Sequence, residues 1–239
     1  MRVFSAALDL LLPPRCPGCD ARHATVAFCE GCRAQIPAVS APKCPICGLP
    51  FQGAGHDHLC RRCIKRRPHF RRASACSTYR ADGRNPLMDA LHRLKYGRDV
   101  SLAPALASVL TTRAHNTSEY DCVLPVPLHR TRLRWRGFNQ SLLLARGLCG
   151  GRRGRLAPWP LARRRATPPQ VGLGETERRR NVRDAFVVVR PDSIRGATVL
   201  LVDDVMTTGA TVDECARVLR RAGARHVDVL VLLRALDTP

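Results

Sequence analysis

The chain has 239 residues, 45% of them apolar, enough to bury one α/β core of ordinary size together with a small extra module. Lys and Arg number 40 against 19 Asp and Glu, a formal net charge of +21, which favours polyanionic partners: nucleic acid, phosphorylated metabolites or an anionic membrane surface. No apolar stretch approaches the roughly 18 residues of a membrane span, and neither a Walker A sequence nor a G-x-G-x-x-G is present, so the transmembrane, P-loop ATPase and dinucleotide-binding classes lose their signatures.

Met1 to Leu12 carries an apolar run broken by Asp9 and followed by Pro13, Pro14 and Cys16 without a small-residue cleavage site. That pattern predicts a short docking helix rather than a secretory leader, and hence a cytoplasmic protein. Thiols stay reduced there, which favours metal over disulfides for the 12 cysteines. Eight of them fall in four C-x-x-C pairs: Cys16/Cys19, Cys29/Cys32, Cys44/Cys47 and Cys60/Cys63. Each pair forms a knuckle whose two thiolates reach one metal, and two knuckles complete a closed, tetrahedral four-cysteine site. Eight thiolates therefore predict two structural Zn2+ ions. Sequential pairing is the expectation, although spacing alone leaves a cross-braced arrangement open. Four copies in a row argue against redox chemistry. His23, His56 and His58 lie between knuckles and are expected as solvated loop residues.

A basic run follows the last knuckle: Arg61, Arg62, Lys65, Arg66, Arg67, Arg71 and Arg72. It suits single-stranded nucleic acid, but only Phe51 and Phe70 are near enough to stack on bases, so a solvated basic face explains it equally well. A short strand from Ser74 leads to a turn at Asp82-Gly83. Pro86 to Tyr96 predicts a helix with Leu87, Ala90, Leu91 and Leu94 inward, and Ser101 is expected to cap a second helix from Leu102 to about Thr112. These helices are expected to cover a ligand site, with Lys95 as a phosphate contact.

Asp121 to Pro127 reads as a buried strand, and Gly137 to Gln140 open a helix that can bury Leu142, Leu143, Ala145 and Leu148. Between them lie His129, Arg130, Arg132, Arg134 and Arg136. A loop of this composition at a strand end suits a pyrophosphate, with His129 and Arg130 as leading candidates; a solvated basic turn is the alternative. Residues 163–183 read as a long loop of Pro, Gly and charge, the profile of a functional lid. Segment 130–183 concentrates arginines against only two acids, Glu175 and Glu177.

After a short strand at Ala185 to Val189 comes the stretch that organises the chain, VLLVDDVMTTGATVDECARVL, Val199 to Leu219. Val199 to Val202 predicts a strand buried on both faces, ending in Asp203 and Asp204. Val205, Met206, Thr207, Thr208, Gly209, Ala210 and Thr211 then lead into an amphipathic helix with Val212, Ala216 and Leu219 on one face and Gly223 near its stop. A helix N-terminus at the carboxyl end of a parallel strand offers unpaired N–H groups to a phosphate, and Gly209 permits close approach or positive φ. The two acids repel that phosphate; they suit hydroxyl groups, or a hydroxyl-bound Mg2+, one sugar ring away. The pattern is that of a ribose 5-phosphate site. His226 to Leu233 is expected as the next parallel strand, and Cys76, Cys122, Cys149 and Cys215 as buried free thiols.

VLLVDDVMTTGAT closely resembles the 5-phosphoribosyl-1-pyrophosphate (PRPP) signature of type I phosphoribosyltransferases. Beyond it, the Cys knuckles, ALHRLKYG, VPVPLHRTRLRWRGFNQS and RRRATPPQVGLGETERRRNVRDAF together resemble the ComF family of double-zinc-ribbon competence proteins. The resemblance implies an α/β type I phosphoribosyltransferase fold, a parallel sheet flanked by helices, behind a double zinc ribbon. The expected division is residues 1–72 and 73–239, with 73–115 as a hood. It further implies PRPP and Mg2+ as ligands, Asp203 and Asp204 as the catalytic ribose acids, Thr207 to Thr211 as the 5-phosphate loop, and a role in DNA uptake during natural transformation. Three functions compete: pentosyl transfer from PRPP, as in a salvage enzyme acting on a nitrogenous base; a PRPP-responsive module without turnover; and a DNA-uptake factor binding single-stranded DNA or a helicase.

Overall fold

The computed structural model describes residues 13–80, 83–113, 117–150, 156–168 and 173–236; the expected docking helix at Met1 to Leu12 lies outside them. Four parallel strands form the central sheet: β1 (Ala73–Tyr79), β2 (Cys122–Pro125), β5 (Thr198–Met206) and β6 (His226–Ala235), in the order β1-β6-β5-β2. A small antiparallel pair, β3 (Leu161–Arg163) and β4 (Phe186–Val188), stands beside it. Two short helices, α1 (Glu30–Ala34) and α2 (Arg61–Lys65), belong to the cysteine-rich segment. The remaining α-helices among the described residues are α3 (Pro86–Tyr96), α4 (Ala103–Arg113), α5 (Arg130–Arg136), α6 (Gln140–Cys149), α7 (Glu175–Val182) and α8 (Ala210–Arg221).

Both faces of the sheet are covered, which is why β5 and β6 read as near-continuous apolar runs. The period of two sorts their side chains. Leu200, Val202, Leu230 and Leu232 pack with Leu87, Leu91, Leu106 and Leu144 of α3, α4 and α6. Val199, Leu201, Val229 and Val231 pack with Val212, Cys215, Ala216 and Leu219 of α8 and with Phe186 of β4. α4 and α6 lie so close that a Cβ on Gly147 would collide with the Ala107 Cβ. Cys76, Cys122, Cys149 and Cys215 are buried, as expected.

Several expectations are corrected. The cysteine-rich segment has no core of its own: Cys16, Phe28 and Cys32 join the α3/α4/α6 face, whereas Cys44, Ile46, Cys47, Cys60, Cys63 and Phe70 join the α8 face. Backbone bonds carry the sheet into the second ribbon, from Ala73 N–H to the Ile46 carbonyl and from Arg71 N–H to the Val227 carbonyl, each 2.7 Å. Segment 73–115 is spread over several layers: β1 is an edge strand of the sheet and α4 packs on α6, while Tyr79 at the end of β1 and Met88 and Lys95 of α3 line the ligand side. Ser101 is no helix cap but lies in a 3-10 turn, Val100–Leu102, bonded to Asp99. The basic stretch after His129 is helix α5, begun by the His129 ring accepting from Thr131 N–H and stopped by Gly137 at φ +87. Within 163–183, residues 175–182 are helical as well, with the Glu177 carboxylate accepting from Gly174 N–H at 2.8 Å.

Candidate functional site

β5 does not end before the acidic pair; it runs on to Met206, so Asp203 and Asp204 project from within a strand, with Asp203 in register with Val231 of β6. Both are buried. Asp203 Oδ1 accepts from Ser141 Oγ (2.8 Å) on α6 and from Asp204 N–H (3.0 Å). Burial, and then the neighbouring Asp204 charge, push the Asp203 carboxyl up to about 7. Asp204 Oδ1 accepts from Val205 N–H (2.6 Å), and its Oδ2 lies 2.7 Å from Lys95 Nζ. The apolar stripe of α3 sets that lysine in the helix's last turn, over the acids. Its chemistry here is that of a cation seated on a carboxylate, not of a residue aimed at a phosphate.

The loop after β5 turns at Gly209, φ +82, a left-handed conformation that L side chains rarely adopt, and α8 begins at Ala210. Arg234, almost fully buried in β6, donates to the carbonyls of Met206 and Thr207. It pins the loop from behind. Arg178 of α7 donates to Thr207 Oγ1 at 2.5 Å.

These groups meet in a cavity of about 350 Å3. Asp203, Asp204 and Lys95 line one side, and Val205, Met206, Thr207, Gly209, Ala210 and Thr211 form the loop side. Arg132, Arg163 and Arg178 complete it. Thr208 is not among the lining residues; its Oγ1 accepts from Ala210 N–H at 3.4 Å. An adjoining cavity of about 150 Å3 shares Lys95, Arg132, Arg163 and both acids, and adds Tyr96 and Arg136. Arg136 is buried and bonds the Gln140 side chain at 2.7 Å.

His129 and Arg130 do not reach either cavity. The His129 ring is engaged with Thr131 and caps α5, and Arg130 is exposed. The cationic wall is made instead by Arg132, two residues on along α5, and by Arg163 and Arg178. Sequence reasoning missed Ser141, Arg163, Arg178 and Arg234 as site residues. A signal existed for Arg234, a lone charge near the end of an apolar strand.

The eight knuckle cysteines form two clusters, Cys16, Cys19, Cys29 and Cys32, and Cys44, Cys47, Cys60 and Cys63, with the sulfurs of each set within 4.8 Å of one another. Pairing is thus sequential, and the cross-brace is excluded. Against the cost of burial, backbone N–H groups lower the Cys16 thiol to about 6 and the Cys44 thiol to about 7. Burial and the neighbouring sulfurs push Cys63 far above the ordinary value of 9.0. Four thiolates cannot share so small a volume without a cation, and this donor set fits a structural Zn2+.

Residues 7–64 match the double zinc ribbon domain family, and residues 164–239 match the phosphoribosyl transferase domain family. The DNA utilization protein YhgH of Escherichia coli is 38% identical over 200 residues, covering 81% of this chain and 84% of that protein. Competence protein F of Haemophilus influenzae is 31% identical over 220 residues, covering 87% and 90%. The chain belongs to the ComF family. This ComF-family protein carries two zinc ribbons, each with four cysteine ligands, and a phosphoribosyltransferase-like sheet. Among solved structures, glutamine PRPP amidotransferase from Bacillus subtilis, complexed with ADP and GMP, aligns at TM-score 0.37 and 22% identity over 54% of this chain and 25% of that one. Among the described residues no helix is long and apolar enough to cross a membrane.

Proposed function

We propose that this ComF-family protein binds PRPP with Mg2+ and serves DNA uptake from the cytoplasmic side. The observation that carries the reading is the juxtaposition at the end of β5: a buried carboxylate pair beside a Thr/Gly loop at a helix N-terminus, faced by three arginines. Asp203 and Asp204 take the ribose hydroxyls, and Thr207 to Thr211 take the 5-phosphate with backbone N–H groups. Arg132, Arg163 and Arg178 take the pyrophosphate in place of His129 and Arg130. The donor set, carboxylate oxygens beside a polyphosphate site, fits Mg2+, which holds few protein ligands and supplies charge neutralisation at a departing pyrophosphate. Lys95 already neutralises Asp204, so ligand entry displaces it from that carboxylate. A division at residue 72/73 is retained as a boundary of element type rather than of core.

Whether the pyrophosphate leaves depends on an acceptor. The Tyr96 and Arg136 side of the adjoining cavity is the place for a nitrogenous base in the salvage-enzyme reading; without an acceptor the site reports PRPP level and does not turn over. For DNA, Arg62, Arg71 and Arg72 drop out of the basic run, since they pair with Glu175, Asp228 and Glu119. Arg61, Lys65, Arg66 and Arg67 stay exposed and form the face offered to single-stranded DNA or an uptake helicase. The names of the relatives, a competence protein and a DNA utilization protein, support this direction. Calorimetry with PRPP and Mg2+ tests the reading, and no saturable binding overturns it. Pyrophosphate release in a screen of bases then separates enzyme from sensor.

A further inference from the structure

A second cavity, about 590 Å3, lies against α8. Its walls come from three separate parts of the chain: Arg66 and His69 after the second ribbon, α7 with the turn after it, and the outward face of α8. Six guanidiniums line it, those of Arg66, Arg179, Arg180, Arg183, Arg217 and Arg221. The carboxylates in the lining are Asp184, Asp213 and Glu214, and they are already matched. Asp213 pairs with His69 Nδ1 at 2.9 Å and Arg179 at 3.5 Å. Arg217 pairs with Glu214 at 2.5 Å and Asp184 at 2.7 Å. Those contacts fix the floor and hold two of the arginines rigid. Arg183 touches Asp184 only at 3.8 Å, and among the described residues Arg66, Arg180 and Arg221 have no carboxylate within 4 Å.

Four exposed arginines thus border a concave volume in the range typical of small-molecule sites, three of them without a carboxylate partner among the described residues and Arg183 with only the distant Asp184. All four are solvent-exposed, so water screens their mutual repulsion, and together they attract a polyanion. Arginine's planar fork suits phosphate oxygens. The geometry points to a second polyphosphate site, distinct from the one at Asp203 and Asp204, that takes a compact ligand of nucleoside-polyphosphate size with two or more phosphates. An extended strand fits less well, because the arginines surround a pocket and do not track along a groove. The run Arg178, Arg179, Arg180 on α7 splits between the two sites: Arg178 faces the first cavity and Arg179 and Arg180 the second. Ala210 lines both.

The experiment uses the full zinc-loaded chain, with inorganic tripolyphosphate as the probe and hydrogen–deuterium exchange to locate it. Protection is expected across 176–183 and 213–221. Arg180→Ser with Arg221→Ser, both outside the ion pairs, is expected to weaken tripolyphosphate binding about ten-fold or more in calorimetry. Asp203→Asn with Asp204→Asn is expected to leave that protection in place. Protection confined to 203–211, or equal affinity in the arginine variant, overturns the inference. So does protection of 176–183 by a short oligothymidine but not by tripolyphosphate, which would make the pocket part of a strand-binding face. Failure of PRPP to bind leaves this site standing, and failure here leaves the PRPP reading untouched.

Discussion

Two buried carboxylates lie at opposite ends of neighbouring strands. Asp228 lies near the start of β6, below the second ribbon; Asp203 lies near the end of β5. Burial acts on both to favour the neutral form, and the outcomes are opposite. At Asp228, burial is outweighed by hydrogen bonds from Arg71 (2.7 Å), Tyr120 (2.9 Å) and Arg72 (2.9 Å), so its carboxyl is held below the ordinary value. At Asp203, burial is reinforced by Asp204, and Ser141 and one backbone N–H are too little to offset it. The first carboxylate is completed by the protein and serves structure. The second is left short of partners, as the proposed ligand site requires.

The largest expected effect tests the second half of that contrast. Asp203→Asn with Asp204→Asn should remove two charge-assisted acceptors and weaken PRPP binding by about 1.5–3 kcal/mol apiece, read by calorimetry. Unchanged affinity in the folded double variant breaks the assignment. Next, Asp228→Asn should leave Arg71 and Arg72 without their buried partner and destabilise the chain by about 3 kcal/mol in denaturant unfolding. Because Arg71 also bonds the Val227 carbonyl through its backbone, the second ribbon should loosen with the sheet, not before it. Separate unfolding transitions for ribbon and sheet would contradict the shared core.

The third effect is on pH. PRPP hydroxyls need Asp203 ionised as an acceptor, yet burial and the Asp204 charge push its carboxyl up to about 7. Binding should therefore release a proton near pH ~6, and affinity should rise with pH by up to about ten-fold per unit until it levels above about 7. Calorimetry in buffers of different ionisation enthalpy reads that proton directly. A flat profile from about pH 6 to 8 would mean that Asp203 is already ionised without ligand.

How much of this was legible beforehand follows from where each signal resides. The chemistry of β5 and its loop is contiguous, so strand, acids, turn and helix could be read together, and the knuckles announce their ligands by spacing. The helix at Pro86–Tyr96 was legible because its apolar stripe repeats at helical period. α5 and α7 were not, since Arg130–Arg136 and Glu175–Val182 have almost no apolar stripe; their helicity rests on the His129 cap, the Gly137 stop and the Glu177 bond to Gly174. Of the basic run proposed for the pyrophosphate, the helix turns Arg132 rather than His129 or Arg130 toward the cavity. The seating of the ribbons was equally hidden. A C-x-x-C pair names the metal ligands but says nothing of which sheet face Phe28, Ile46 and Phe70 will join. Asp228 and its arginines lie more than 150 residues apart, beyond any local pattern.

The smallest expected effect is also the most discriminating. Asp203→Asn alone keeps the oxygen that accepts from Ser141 and Asp204 N–H but removes the charge. Asp203 has its folded value raised to about 7 from an ordinary 3.8. A carboxyl raised in this way contributes stability that is fully present below the unfolded value and is lost as pH climbs through the folded one. The asparagine variant has no such loss. Without PRPP, it should match the wild type near pH ~4, pull ahead progressively as pH rises, and hold a lead of about 1–2 kcal/mol above pH ~7. The same substitution at position 228 must have the opposite sign: wild-type Asp228 is stabilising above its unfolded value, and the advantage over Asn fades only as pH falls through the lowered folded value. Denaturant unfolding of both variants across about pH 4 to 8 should show the Asp203→Asn gap opening in favour of the variant, while the Asp228→Asn gap stays constant in favour of the wild type. A constant gap at both positions would mean that burial does not raise the Asp203 carboxyl, and that its partner count says nothing about a ligand.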